Sequence, residues 1–156
     1  MINRDLNHQL QSLQSLFDRT GDACGKDIEM RSHWAKYLCV RCAGFLENSL
    51  KAVYTDYCFG ATRDPVARYA TQSLELIRNP KSHRFIQLAS QFKIQWGQDL
   101  EKYINKNGRR EAIDSIMSNR HLIAHGKTST LTIVQIRDYF KKALEVVDFI
   151  EGQCKT

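Results

Sequence analysis

A chain of 156 residues can bury one core but is too short for two ordinary domains, so a single domain over residues 1–156 is expected. Hydrophobic residues make up 42 % and prolines number only two, which excludes a linker-rich or disordered chain, while a formal net charge of +6 favours an anionic partner without specifying one. Met1-Ile2-Asn3-Arg4-Asp5-Leu6 lacks the apolar core of a signal peptide, and charge interrupts every later apolar stretch, so the expectation is a cytoplasmic protein with no membrane span.

Helical periodicity runs through the chain without competing strand alternation. A first helix is expected over about residues 3–19, with Leu6, Leu10, Leu13 and Phe17 on one face and Gly21 as its stop. Asp27 is placed to cap a long second helix reaching about Phe59, with Gly60 ending it. Trp34, Leu38, Phe45, Leu46, Leu50 and Val53, with Val40 and Ala43 between them, form an apolar surface wider than one stripe. That width suits the central helix of a bundle.

Asp64-Pro65 reads as a capping carboxylate followed by proline at the first helical position. The helix it starts presents Val66, Tyr69, Ala70, Leu74 and Ile77 until Asn79-Pro80 breaks it. Ser82 caps a short helix through Phe85, Ile86, Leu88, Ala89 and Phe92, and another runs from about Gln98 to Lys106 before Asn107-Gly108. Arg109 to His125 forms the next helix, with Ala112, Ile113, Ile116 and Met117 facing inward and Gly126 as the left-handed terminator. Thr132 and Gln135 make a capping box for the last helix, whose buried face is Ile136, Phe140, Ala143, Leu144, Val147 and Ile150. The expected fold is an all-α, up-and-down bundle with extra short helices and short connections.

Five cysteines (Cys24, Cys39, Cys42, Cys58, Cys154) form an odd set without framework spacing, as reduced thiols would. Cys39 and Cys42 make a Cys-x-x-Cys pair, which reads either as two small buried hydrophobes or as a redox or half-zinc motif. No second pair follows, and the reading here is the buried one, with no metal and no cofactor.

The segment richest in chemistry is Asn119-Arg120-His121-Leu122-Ile123-Ala124-His125-Gly126. Arginine is always cationic and matches phosphate oxygens as a planar fork, and histidine exchanges a proton near neutral pH. Arg120 and His125 have four residues between them, which on an ideal helix means about 7.5 Å of rise and roughly 140° of rotation. They therefore border one groove without stacking. His125 falls in the last turn, where the macrodipole favours cations, and this suits a general acid or a phosphate contact better than a metal ligand. The bland alternative is a helix end whose basic residues merely complement the dipole. His121 shares a face with His125, as zinc-binding pairs do, but no third ligand is evident nearby.

Arg120-His121-Leu122-Ile123-Ala124-His125-Gly126 resembles the Arg-polar-x-x-x-His signature of the HEPN superfamily. Trp34-Ala35-Lys36-Tyr37-Leu38-Cys39, Gly44-Phe45-Leu46-Glu47, Asn79-Pro80 and the closing helix extend the likeness to the branch called RiboL-PSP-HEPN, over about residues 25–150. The resemblance implies a helical bundle that dimerises so that two motifs face a shared cleft. It also implies a metal-independent ribonuclease in active members, often from toxin–antitoxin or antiviral defence systems, and a binding or assembly module in members that have lost activity. Many relatives carry asparagine after the arginine, where this chain has His121. Glu47 falls at the family's position for an acidic residue near the site; a carboxylate amid Phe45, Leu46 and Leu50 needs a partner if buried, and Arg120 is an available one.

The functional expectation is an endoribonuclease in which the substrate's 2′-hydroxyl attacks the adjacent phosphate at a composite dimer site. Arg120 and His125 are the expected catalytic pair, with His121, Glu47 and Asn119 in support and Arg109, Arg110 and Lys127 along the RNA backbone. Lys81 with Arg84, and Lys141-Lys142, are further basic clusters that read either as backbone contacts or as solvated faces, and His8, His33 and His83 look incidental. The partners expected are RNA, a second copy of the chain, and an antitoxin or nucleotidyltransferase. The competing expectation is a non-catalytic module that binds nucleotides, RNA or a protein.

Overall fold

The computed structural model describes residues 3–156 and contains, among them, α-helices, one 3₁₀ turn and no strand. Helix α1 (Arg4–Asp18) begins where the Asn3 side chain accepts the Leu6 N–H at 3.1 Å, and it buries Leu6, Leu13 and Phe17. Gly21 does not stop it. The chain turns at Arg19 and resumes as α2 (Thr20–Cys24), which contains Gly21 and ends at Gly25 with φ +50°. The Trp34 indole N–H donates to the Thr20 hydroxyl at 3.0 Å and ties this short helix to the next one.

Helix α3 (Ile28–Ala61) starts as expected, with the Asp27 carboxylate accepting the Met30 N–H. It runs through Gly60 to a cap at Thr62, because an exposed glycine inside a well-packed helix costs too little to end it. Leu38, Cys39, Cys42 and Leu46 are completely buried along it, whereas Val40 is 39 % exposed. Helices α1, α2 and three later ones pack around α3, which makes it the central helix.

Helix α4 (Asp64–Thr71) has Asp64 as its first helical residue rather than its cap, and it stops well short of Asn79. A 3₁₀ turn, Leu74–Leu76, completes the segment. Ala67 faces the core while Val66, Tyr69 and Ala70 lie outside, so only Leu74 and Ile77 of the expected face are buried. Two helical turns are too few for periodicity to define a phase.

In α5 (Ser82–Phe92) Ser82 is helical and Lys81 occupies the cap position. Helix α6 (Ile94–Ile104) starts four residues earlier than Gln98, and Gly97 sets its approach to α5. A Cβ there would lie 1.7 Å from the Ser90 hydroxyl oxygen. Asn107 and Gly108, at φ +58° and +71°, turn the chain into α7 (Arg109–Ala124), whose Ala112, Ile113, Ile116 and Met117 are buried. Helix α8 (Ile133–Lys155) opens with the reciprocal Thr132–Gln135 capping box. It buries Ile136, Phe140, Ala143, Val147 and Ile150, with Leu144 only half-buried. Helices α3, α7 and α8 enclose the core, where the Phe140 ring packs edge-on to Phe45 at 5.7 Å and stacks on Phe17 at 5.9 Å. No helix among the described residues is long and apolar enough to cross a membrane.

Candidate functional site

The end of α7 is fixed by backbone hydrogen bonds. The Gly126 N–H donates to the Ile123 carbonyl at 3.1 Å, and the Lys127 N–H donates to the Leu122 carbonyl at 2.8 Å. With Gly126 at φ +65°, this is the paired closure that satisfies carbonyls a helix end otherwise leaves free. His125 is thereby locked as the cap residue, and its N–H donates to the His121 carbonyl at 3.2 Å. The two imidazoles pack with ring centroids 4.4 Å apart and planes tilted by 54°. Both histidines are exposed.

Arg120 is half-buried, and its charge reaches Cys39 of α3. Burial pushes the Cys39 thiol up to about 12, and the Arg120 charge nearby partly offsets that rise. The Cys39 S–H donates to the Ile116 carbonyl one turn before Arg120. A half-buried cation whose charge reaches α3 and an exposed imidazole pair thus share one helix end.

Asn119 supports this end from below. Its amide N–H donates to the Ser115 carbonyl at 2.8 Å, and its amide oxygen accepts from the buried Ser129 hydroxyl at 2.7 Å. That second bond holds residues 126–132, the loop that leaves His125. Asn119 therefore ties the end of α7 to the loop that follows it. Lys127 is exposed in the same loop.

Two expected members of the site do different work. Glu47 is mostly buried, but its partner is not Arg120. One oxygen meets the Lys51 ammonium at 3.1 Å and the Arg78 guanidinium at 3.9 Å, and the other accepts the Asn79 N–H at 2.7 Å. It clamps the Asn79-Pro80 turn onto α3. Arg109 is not a surface cation either, being 8 % exposed. Its Nε donates to Glu145 at 2.8 Å, another nitrogen donates to the Tyr103 carbonyl at 3.1 Å, and the guanidinium lies 3.9 Å over the Tyr103 ring. A buried arginine held by these bonds is not free to track an RNA backbone. Arg110 is half-buried and joins Asn105 and Ser82, at 2.6 and 3.2 Å.

Cys39 and Cys42 are buried on one helix, and burial pushes both thiols up, so neither is poised as a thiolate nucleophile. Among the described residues, no three His, Cys, Asp or Glu side chains converge as a metal site requires. Sequence reasoning missed Arg78 and took His83 as incidental, yet both line one groove with Lys81 and Arg84. The only local signal was the density of basic residues around Asn79-Pro80.

The arrangement at the α7 terminus supplies one permanent cation for a phosphate oxygen and exposed imidazoles for proton transfer. A family model described as RiboL-PSP-HEPN matches residues 2–156. No curated protein and no solved structure matches the chain.

Proposed function

This chain belongs to the RiboL-PSP-HEPN family, whose model matches nearly its whole length, and we propose that it is a metal-independent endoribonuclease acting as a homodimer. The observation that carries the reading is the α7 terminus, where half-buried Arg120 and the exposed His121–His125 pair share one closed helix end.

In the proposed reaction the substrate's 2′-oxygen attacks the adjacent phosphorus while the bond to the 5′-oxygen of the next nucleotide breaks. The products are a 2′,3′-cyclic phosphate and a 5′-hydroxyl. His125 from one protomer removes the 2′-hydroxyl proton, and His125 from its partner returns a proton to the leaving 5′-oxygen, so the exchange balances. Arg120 neutralises charge that builds on the non-bridging oxygens, where a preorganised cation is most effective. His121 packs on His125 and orients its ring. A toxin or defence role, with an antitoxin or nucleotidyltransferase as partner, is the biological setting this chemistry suits.

The test is cleavage of mixed RNAs by purified protein in excess chelator. Wild type should cut, whereas His125→Ala and Arg120→Ala should each lose at least about a hundredfold in turnover, as loss of a proton-transfer or charge-stabilising group does. Wild-type protein that binds RNA and leaves it intact would mean a binding module. Activity lost in chelator and restored by a divalent ion would mean different chemistry.

A further inference from the structure

A groove of about 520 Å³ opens where the 3₁₀ turn meets α5, and its chemistry is one-sided. Arg78, Lys81 and Arg84 line it together with His83, and no carboxylate does. The Arg78 side chain is 66 % exposed, and Lys81 and His83 are exposed as well. Lys81 and Arg84, with Arg78 partly offset by the Glu47 carboxylate at 3.9 Å, make a concave cationic surface that draws phosphates rather than neutral ligands.

The groove is held rigid from two sides. Asn79 adopts a left-handed conformation, φ +45°, fixed by the Glu47 carboxylate on its N–H. The Ser82 N–H donates to the Asp114 carboxylate of α7 at 2.8 Å. Arg78 is steadied in turn by its own loop, donating to the Glu75 and Ile77 carbonyls. Side chains displayed on such a loop lose little freedom when they bind.

Its position relative to the α7 terminus gives the groove its meaning. Around an ideal helix, Arg110, Asp114, His121 and His125 fall within about 60° of one another. Asp114 and Arg110 touch Ser82, so the groove lies alongside the face of α7 that carries the histidines. From Asp114 the rise is about 10 Å to His121 and about 16 Å to His125. A strand whose scissile phosphate lies at His125 and which follows this face arrives at Lys81 and Arg84.

We propose that the Arg78–Lys81–His83–Arg84 groove is a subsite for single-stranded RNA flanking the scissile phosphate. The proposal rests on the RNA substrate of the preceding section. Lys81 and Arg84 contact phosphates, while the Arg78 plane and the His83 ring offer stacking surfaces for unpaired bases, beside an exposed Leu76. A duplex keeps its bases stacked and forgoes those contacts.

The experiment measures binding of a fully 2′-O-methylated single-stranded oligonucleotide, which lacks the nucleophile, by fluorescence anisotropy across a salt series. Losing two single-strand phosphate contacts should lower the slope of log K against log salt by about 1.4 and weaken binding on the order of 20-fold near 0.1 M salt. Lys81→Ala/Arg84→Ala should show both changes, and the charge-matched Lys26→Ala/Lys102→Ala control should show neither. Should the double variant melt lower, Lys81→Ala alone alters one exposed side chain and should lower the slope by about 0.7. The same strand in a duplex should bind more weakly to wild type. Unchanged slope and affinity in the Lys81 and Arg84 variants, with wild type still cleaving RNA, would overturn the groove and leave the nuclease standing. Groove-dependent binding by a wild type that cuts nothing would uphold the groove and remove the nuclease.

Discussion

Replacing Arg109 by alanine separates a structural arginine from an RNA-binding one. Three main interactions disappear together, the ion pair to Glu145, the hydrogen bond to the Tyr103 carbonyl and the stack on the Tyr103 ring, along with a long 3.5 Å bond to the Lys106 carbonyl. Glu145 is 41 % exposed and regains water when its partner goes, so the ion pair is discounted to about 1 kcal/mol. The charged hydrogen bond adds about 1.5 kcal/mol and the ring stack about 1 kcal/mol. The sum is about 3–4 kcal/mol, which lowers Tm by roughly 6–16 °C in a chain of this size. Thermal unfolding followed by far-UV circular dichroism measures it. Arg109→Lys should recover less than half of the loss, because an ammonium cannot reproduce the planar fork. Salt dependence of RNA binding should be the same in Arg109→Ala as in wild type at a temperature where both are folded. A Tm change under about 2 °C, together with a shallower salt slope, would refute the argument and return Arg109 to the RNA interface.

Glu47→Ala leaves the Asn79 N–H without its acceptor and Lys51 without its counter-charge, which should cost about 2–3 kcal/mol in chemical denaturation and raise KM for RNA more than it lowers kcat; a kcat collapse at unchanged stability would make Glu47 catalytic. In Gly126→Ala the new Cβ meets open space, so the cost is backbone strain alone, about 1–2 kcal/mol, read from the urea midpoint, and no loss would mean the α7 closure is not under strain. Burial raises the Cys39 and Cys42 thiols from the ordinary value of 9.0, so the folded state favours their neutral forms. Both contributions are full below pH 9.0, and that of Cys39 is lost as pH rises toward about 12, so unfolding free energy should decline across that window. A disulfide reagent at about pH 8 should label the half-buried Cys154 well before Cys39, and prompt labelling of Cys39 would contradict its burial.

Features whose cause is local in the chain were legible in the sequence. Gly126 with the apolar run before it, the Thr132–Gln135 box and the Asp27 cap each act within a few residues, and each takes its expected form. Gly21 and Gly60 misled because glycine ends a helix only where the backbone must turn left-handed, and here that happens at Gly25, while α3 runs on to Thr62. The face of α4 was unreadable from two turns with a single inward alanine. That Arg120, His121 and His125 fall together at one helix end was legible because they lie within six residues of one another. Glu47 and Arg109 were misassigned because their decisive partners, Asn79 and Glu145, lie 32 and 36 residues away. A charged residue's type and neighbours do not disclose whether a distant carboxylate or backbone N–H has already engaged it. Arg78 and His83 were passed over for the same reason, since only the folded turn brings them beside Lys81 and Arg84.

The measurement that bears most directly on the central claim uses an RNA with a mapped cleavage position and a matched strand carrying one 2′-deoxyribose on the 5′ side of that bond. Purified wild-type protein in excess chelator should cut the first, leaving a 2′,3′-cyclic phosphate and a 5′-hydroxyl by mass spectrometry. It should bind the second with similar affinity and leave that bond whole, and His125→Ala should cut neither. Cleavage of the deoxy-substituted bond, or wild-type products carrying a 5′-phosphate, would contradict attack by the 2′-hydroxyl at the Arg120–His125 site.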